Sequence, residues 1–264
     1  MNAASLARQS ELDQALDAQQ PSAALAEELF AVADALAAQP GLRNALADPT
    51  APDSARRALA GAVLTGRVSQ AAVALAQAAA ALRWSSAADL GAAIERQGVR
   101  AELALAQASG SLDLVEDELF RFGRVVDADN ELRGVLGDRS APLADRQQVV
   151  SDLLAGRVHP VTLSLARRAV TASARTYDLT LGAYLNLAAA ARSRAIAHVV
   201  VARPLEPDQA DRLRAVLSRQ VGRDVGLQVV VDPEVVGGAR VRIGDEVIDG
   251  TVAGKLEAAS RQLS

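Results

Sequence analysis

Apolar residues recur at helical spacing through the first three quarters of the chain, and at a spacing of two near its end. Leu6, Leu12 and Leu16 mark a helix over about residues 3 to 18. Leu25, Leu29, Val32 and Leu36 mark a second over about 22 to 38, which Gln39-Pro40-Gly41 ends. A short helix holds Leu42 and Leu46. The stretch from Asp48 to Asp53 carries two prolines and reads as a turn, with Asp53 or Ser54 capping the next helix. That helix carries Leu59, Val63 and Leu64 and stops at Gly66. Another spans about 69 to 83 on Val73, Leu75 and Leu82. From Ala87 to about Ser109 the helical period is unbroken, on Leu90, Ile94, Leu103 and Leu105. Gly91 and Gly98 weaken that helix without interrupting it, and Gly98 is a candidate hinge.

The pattern then repeats. Residues 27 to 68 align without a gap to residues 117 to 158, an offset of 90. Leu29 and Phe30 fall on Leu119 and Phe120. Leu42, Arg43 and Leu46 fall on Leu132, Arg133 and Leu136. Asp48, Pro52 and Arg56 fall on Asp138, Pro142 and Arg146, and the triplet Gly66-Arg67-Val68 on Gly156-Arg157-Val158. About 15 of the 41 positions from 28 to 68 are identical. A shared preference for Ala and Leu cannot put Phe, Pro and that triplet in register, so one helical unit occurs twice. The second copy predicts helices over about 111 to 127, 129 to 136, 142 to 155, 160 to 174 and 177 to 195. By the same offset, the second half of the helix at 87 to 109 is the first helix of copy two, so one helix is expected to serve both.

After residue 195 the grammar changes. Residues 197 to 202 are short and β-branched, a strand; Pro204 to Pro207 is a turn; Asp208 to Val221 is an amphipathic helix on Leu213, Val216 and Leu217. Val229 and Val231 alternate in a further strand. Ala239, Val241 and Ile243 then share one strand face, with Arg240 and Arg242 on the other. Gly237 and Gly238 permit a bulge or a positive φ. Gly244-Asp245 turns the chain into Glu246-Val247-Ile248 as a hairpin. Asp249 or Thr251 caps a closing helix on Val252, Leu256, Ala259 and Leu263. The fold expected is mainly α: two tandem six-helix-like bundles, residues 1–91 and 92–195, then a small β-α-β-β-α domain over 196–264.

Composition narrows the function. Half of the 264 residues are hydrophobic but only 2% are aromatic, and Ala, Leu and Val dominate, as in helices with closely approaching axes. The net charge of −4 argues against a duplex nucleic-acid binder. There is no cysteine, so no disulfide and no thiol chemistry; a reducing compartment fits. The first residues lack a basic start followed by an apolar run, which argues against a signal peptide. The longest apolar helical stretch, Ala71 to Leu82, is too short for a membrane span.

No constellation of catalytic or metal-binding residues emerges. Gly250 to Lys255 resembles a phosphate loop, but it is one residue short between the glycines and has Leu256 where Ser or Thr is needed. His159 and His198 have no partners at ligand spacing. Asp127, Asp129 and Glu131 suggest a calcium loop, yet Leu132 stands where glycine is required and Asp138 where glutamate is, so a helix-capping turn is preferred. Asp245, Glu246 and Asp249 cluster without a nucleophile or pocket. Trp84, at a helix end, reads as a packing anchor ahead of an interface residue. No cofactor is expected, and the chain reads as a binding module for partner helices.

The run from Val231 to Leu256 resembles the C-terminal signature of the delta subunit of F-type ATP synthase, related to the mitochondrial oligomycin-sensitivity-conferring protein. Asp232, Gly237, Gly238, Gly244, Asp245, Ile248, Asp249 and Gly250 carry it, in the family's order and spacing. The resemblance implies a non-catalytic peripheral-stalk subunit. It would join alpha subunits of the catalytic head to the b subunits, peripherally at the cytoplasmic face of the cell membrane, against rotor torque. Those eight residues would be structural or interface positions. The ordinary family member matches residues from about 92 onward; the extra copy resembles the form in high-GC Gram-positive bacteria, and both copies are expected to contact the head. The competing reading is a helical adaptor or regulator unrelated to energy conversion.

Overall fold

A computed structural model describes residues 3–171, 176–193, 195–222, 225–233, 235, 238–243 and 246–249. The described part is mainly helical, with one small mixed sheet. The helices are α1 (Ala3–Asp17), α2 (Ala23–Ala38), α3 (Pro40–Leu46), α4 (Asp53–Leu64), α5 (Gln70–Ala81), α6 (Ala87–Ala108), α7 (Leu112–Ala128), α8 (Asn130–Gly137), α9 (Leu143–Leu154), α10 (Pro160–Ala169), α11 (Tyr177–Ser193) and α12 (Pro207–Val221). The strands are β1 (Ala195–Val201), β2 (Val225–Val231), β3 (Ala239–Ile243) and β4 (Glu246–Asp249). Two compact units result. One is formed by α1 with the chain from Ser193 onward, the other by Pro21–Arg192.

In the terminal unit the strands lie in the order β2-β1-β3-β4. β1 and β2 are parallel, joined by the crossover helix α12, while β3 runs antiparallel to β1 and β4 antiparallel to β3. The alternation in β3 is as expected: Val241 and Ile243 are buried and Arg240 and Arg242 exposed. These two join Ala197, Val199, Val201, Leu217, Val225 and Leu227 in one core. Two details differ from the sequence reading. β2 begins at Val225 rather than near Val229, because it pairs along the full length of β1. The hairpin arm Glu246–Asp249 is a full strand, one more than the β-α-β-β-α count allows. The closing helix on Val252 to Leu263, and Lys255 with it, lie outside the described residues.

α1 also departs from expectation. The sequence assigns it to the first helical copy, but it packs on β2, with Leu12 and Leu16 buried and Asp17 against Gly226. An apolar stripe states that a face will be covered, not by what.

The larger unit repeats itself in detail. α4 and α9 begin and end 90 residues apart, and α5 and α10, and α6 and α11, begin so. Pro52 and Pro142 precede α4 and α9 with φ −57° and −53°. Gly66 and Gly156 both take a left-handed φ, 78° and 72°, where each helix turns into the next. Asp48 accepts from the amide and hydroxyl of Thr50 at 2.8 and 2.7 Å; Asp138 does the same with Ser140 at 2.9 and 2.6 Å. Hydroxyl donation to each carboxylate lowers its pKa. Glu28 accepts from the amide of Ser69, and Glu118 from that of His159, which caps the start of α10 by accepting from the Val161 amide at Nδ1. Asp129 caps α8, accepting from Glu131 and Leu132, which is the capping turn preferred over a calcium loop. The Trp84 indole donates to the carbonyl of Ala79 at 2.8 Å. α10 ends at Ala169, short of the predicted 174.

α6 buries residues on opposite sides of its axis, although Ala88, Asp89 and Ala92 in its first turns are exposed. At about 100° per residue, Leu90, Ala93, Ile94, Gln97 and Ala101 share one side, while Val99, Leu103 and Ala106 face the other. It packs on α2, α3 and α5 from the first copy and on α7 and α10 from the second. Gly98 is not a break in this helix but a contact. A Cβ there would come within 2.5 Å of the Phe30 ring on α2, whereas Gly91 has nothing within 4 Å. Gly98→Ala therefore gains roughly 1 kcal/mol of helix propensity against an overpacking cost of about 1–3 kcal/mol. The expected net is a loss of about 1 kcal/mol. Gly91→Ala is expected to stabilise. Denaturant midpoints of the two variants should move in opposite directions.

Candidate interaction surface

Of the eight signature residues, Asp232, Gly238, Ile248 and Asp249 are among those described. Asp232 follows β2 and donates its amide to the carbonyl of Val201 at 2.8 Å, closing the β1–β2 end. Gly238 adopts φ 81° immediately before β3, the positive value expected of the glycine pair. Ile248 and Asp249 pair with Val241 and Arg240 in β4. Gly237, Gly244, Asp245 and Gly250 lie outside the described residues. The described members thus sit at strand ends and in the β3–β4 ladder. Among the described residues no group of three His, Asp or Glu side chains could hold a metal ion. None of their helices is long and apolar enough to cross a membrane.

Sequence reasoning missed where apolar side chains stay exposed. In the helical unit, the exposed large apolar side chains among the described residues are Leu114, Phe120, Val125, Val135, Leu143, Leu153 and Leu179, all in the second copy. Their counterparts in the first copy are Ala24, Phe30, Ala35, Ala45, Asp53, Val63 and Asp89. Five of these seven are alanine or aspartate, so the repeat carries the contrast once the two copies are read against each other.

The two phenylalanines show the contrast most clearly. Phe30 is 7% exposed, seated in the space that Gly98 leaves on α6. The residue equivalent to Gly98 is Ala188, fully buried on α11. α11 packs on α7 through Leu181 against Gly123 and Tyr177 edge-on to Phe122. Phe120 instead lies outward, 56% exposed. Leu114 and Val125 flank the buried face of α7 on its other side. One helix thus presents apolar side chains along both margins of its packed face, a pattern suited to partner helices.

One buried charge also stands out. Glu102 on α6 is 4% exposed and accepts from the Ser164 hydroxyl at 2.6 Å. Its pKa is raised from the ordinary 4.5, chiefly by burial and further by the charge of Glu27, against the lowering effect of Ser164. A raised carboxyl pKa costs nothing below 4.5, where both states are protonated. The cost enters as pH rises above 4.5 and is complete above the folded pKa. Glu102→Gln is expected to raise the unfolding temperature at pH 7, with the gain vanishing near pH 4. Melting curves across that range check the sign.

Comparison with known proteins identifies the class. A sequence model described as "ATP synthase delta (OSCP) subunit" matches residues 94–263. The chain is 46% identical to "ATP synthase subunit delta" of Parafrankia sp. (strain EAN1pec), over 91% of this chain and 86% of that one. It is 43% identical to the protein of that description in Kineococcus radiotolerans, over 90% and 87%. For Cutibacterium acnes the identity is 41%, over 96% of each. The chain belongs to the ATP synthase delta (OSCP) family. The family match begins inside α6, so it covers the second copy and the chain from β1 onward but not α1, while the relatives also span most of the first copy.

Proposed function

We infer that the chain is a non-catalytic stator subunit of the peripheral stalk of an F-type ATP synthase. Membership of the delta family carries this reading. The helical part grips alpha subunits of the head, and the terminal α/β unit meets the b subunits, at the cytoplasmic face of the membrane. The chain is organised as two helical copies, residues 1–91 and 92–195, and a terminal domain, 196–264, with α1 docked on the terminal sheet. Both copies contact the head, in unequal shares. Copy two supplies the main head-binding face, because the exposed large apolar side chains among the described residues of the helical part lie on it; copy one braces it. The signature glycines and aspartates serve the turns of the terminal sheet.

The test is a titration of the full chain against an isolated catalytic head and, separately, against the soluble part of b. Saturable binding to both is the expected result. Binding to neither would leave the adaptor reading in its place.

A further inference from the structure

We propose that Arg168 is a latch that locks the two helical copies against twisting about the helix they share, making them one lever. The inference rests on the two-copy reading above. α6 alone joins the copies covalently through a single rod, and rotation about that rod is the soft motion of such a joint. Arg168, on α10 of copy two, closes it. Its Nη1 and Nη2 donate to Asp34 Oδ2 and Oδ1 on α2 of copy one, both at 2.8 Å. Its Nε donates to Glu95 Oε1 and Oε2 on α6 at 2.8 and 3.0 Å, and Nη2 also reaches Glu95. The guanidinium lies 4.7 Å from the centre of the Phe30 ring. The Tyr184 hydroxyl on α11 donates to Glu95 Oε1 at 2.9 Å, fixing that carboxylate from a fourth helix.

Two features make this a latch rather than a surface ion pair. The Arg168 side chain is only 11% exposed, so water competes little for its forked contacts, and a planar fork held by two carboxylates resists rotation as a point charge cannot. The chemistry is also absent from the repeat. The positions equivalent to Arg168, Asp34 and Glu95 are Ala78, Arg124 and Leu185. Where the copies differ at this seam, they differ as complementary surfaces must. The triangle α2–α6–α10 therefore joins copy one to copy two at a second point, off the axis of α6. For a stator this is the contact that carries torque from one copy to the other.

The chain has no cysteine, so spin labels can be placed at will. Ala58→Cys on α4 and Ala144→Cys on α9 are exposed and report one on each copy. Pulsed dipolar measurement on the full chain should give one narrow distance distribution. Asp34→Ala, at a half-exposed position, should broaden it about twofold. Arg168→Gln should broaden it further, and Arg168→Lys should fall between wild type and Arg168→Gln, since it keeps the charge and loses the fork. Unchanged widths in Asp34→Ala and Arg168→Gln, with helical content retained, overturn the latch; if Arg168→Gln does not fold, Asp34→Ala decides alone. The measurement needs no partner, so its failure leaves the stator reading standing, and failed head binding leaves the latch standing.

Discussion

Replacing Arg56 with alanine is expected to lower the unfolding temperature by roughly 10 °C, corresponding to about 3–4 kcal/mol. Arg56 is 3% exposed and spends its guanidinium on four backbone carbonyls. Nε donates to Ala80 at 2.7 Å and Nη2 to Ala81 at 2.7 Å, at the last turn of α5; Nη1 donates to Asp48 at 3.0 Å and Ala51 at 2.6 Å, in the turn before α4. Helix ends leave carbonyls without intrahelical partners, and one cation here satisfies two elements at once. Arg56→Met would keep the packing and still orphan the acceptors, so most of the loss should remain. The repeat supplies an internal comparison. Arg146, the equivalent residue, is half-buried and donates to Leu136 at 3.3 Å and Val170 at 3.4 Å. Arg146→Ala should cost about 1 kcal/mol. Calorimetric scans of the two alanine variants measure the difference directly, and equal losses would refute the account.

Introducing a charge at Phe120 is expected to weaken head binding about 100-fold, or about 2.7 kcal/mol. Phe120→Asp places a carboxylate where an apolar partner would have to desolvate it. Because the ring is more than half exposed in the free chain, the variant's own stability should change by no more than about 0.5 kcal/mol. Phe30→Asp is the control with the reverse outcome. That ring is buried between Gly98 and Arg168, and replacing it leaves a cavity and adds a third carboxylate beside Asp34 and Glu95, which should unfold the region before binding can be assayed. Titration of Phe120→Asp against the head, beside its melting curve, separates the two effects. Full affinity in the variant would remove copy two's outer face from the interface.

Much of this molecule was legible before any coordinates. The offset of 90 residues predicted matching helices, and the starts of α4 and α9 obey it to the residue. The alternation of Ala239 to Ile243 named the buried face of β3, and the glycine pair anticipated the positive φ at Gly238. These succeeded because each depends on local geometry: a period, a cap, a backbone conformation. The errors have one cause. α1 was assigned by adjacency in sequence and went to β2. Gly98 was read as a hinge from its propensity and turned out to hold an aromatic ring. The pairing of Phe120 with Phe30 in the repeat carried no sign that one ring is buried and the other exposed.

The sequence by itself determined the elements, their duplication, the absence of a recognisable catalytic motif and, through the terminal signature, the family. Periodicity and turn chemistry are written in neighbouring residues, and a repeat is visible wherever both copies are printed. The tertiary structure alone decided which surfaces meet. It set Arg168 between Asp34 and Glu95, 134 and 73 residues away along the chain, and gave Phe30 cover that Phe120 lacks. Such contacts follow from which helix lies beside which, and that is fixed by packing among elements far apart in sequence rather than by any local pattern.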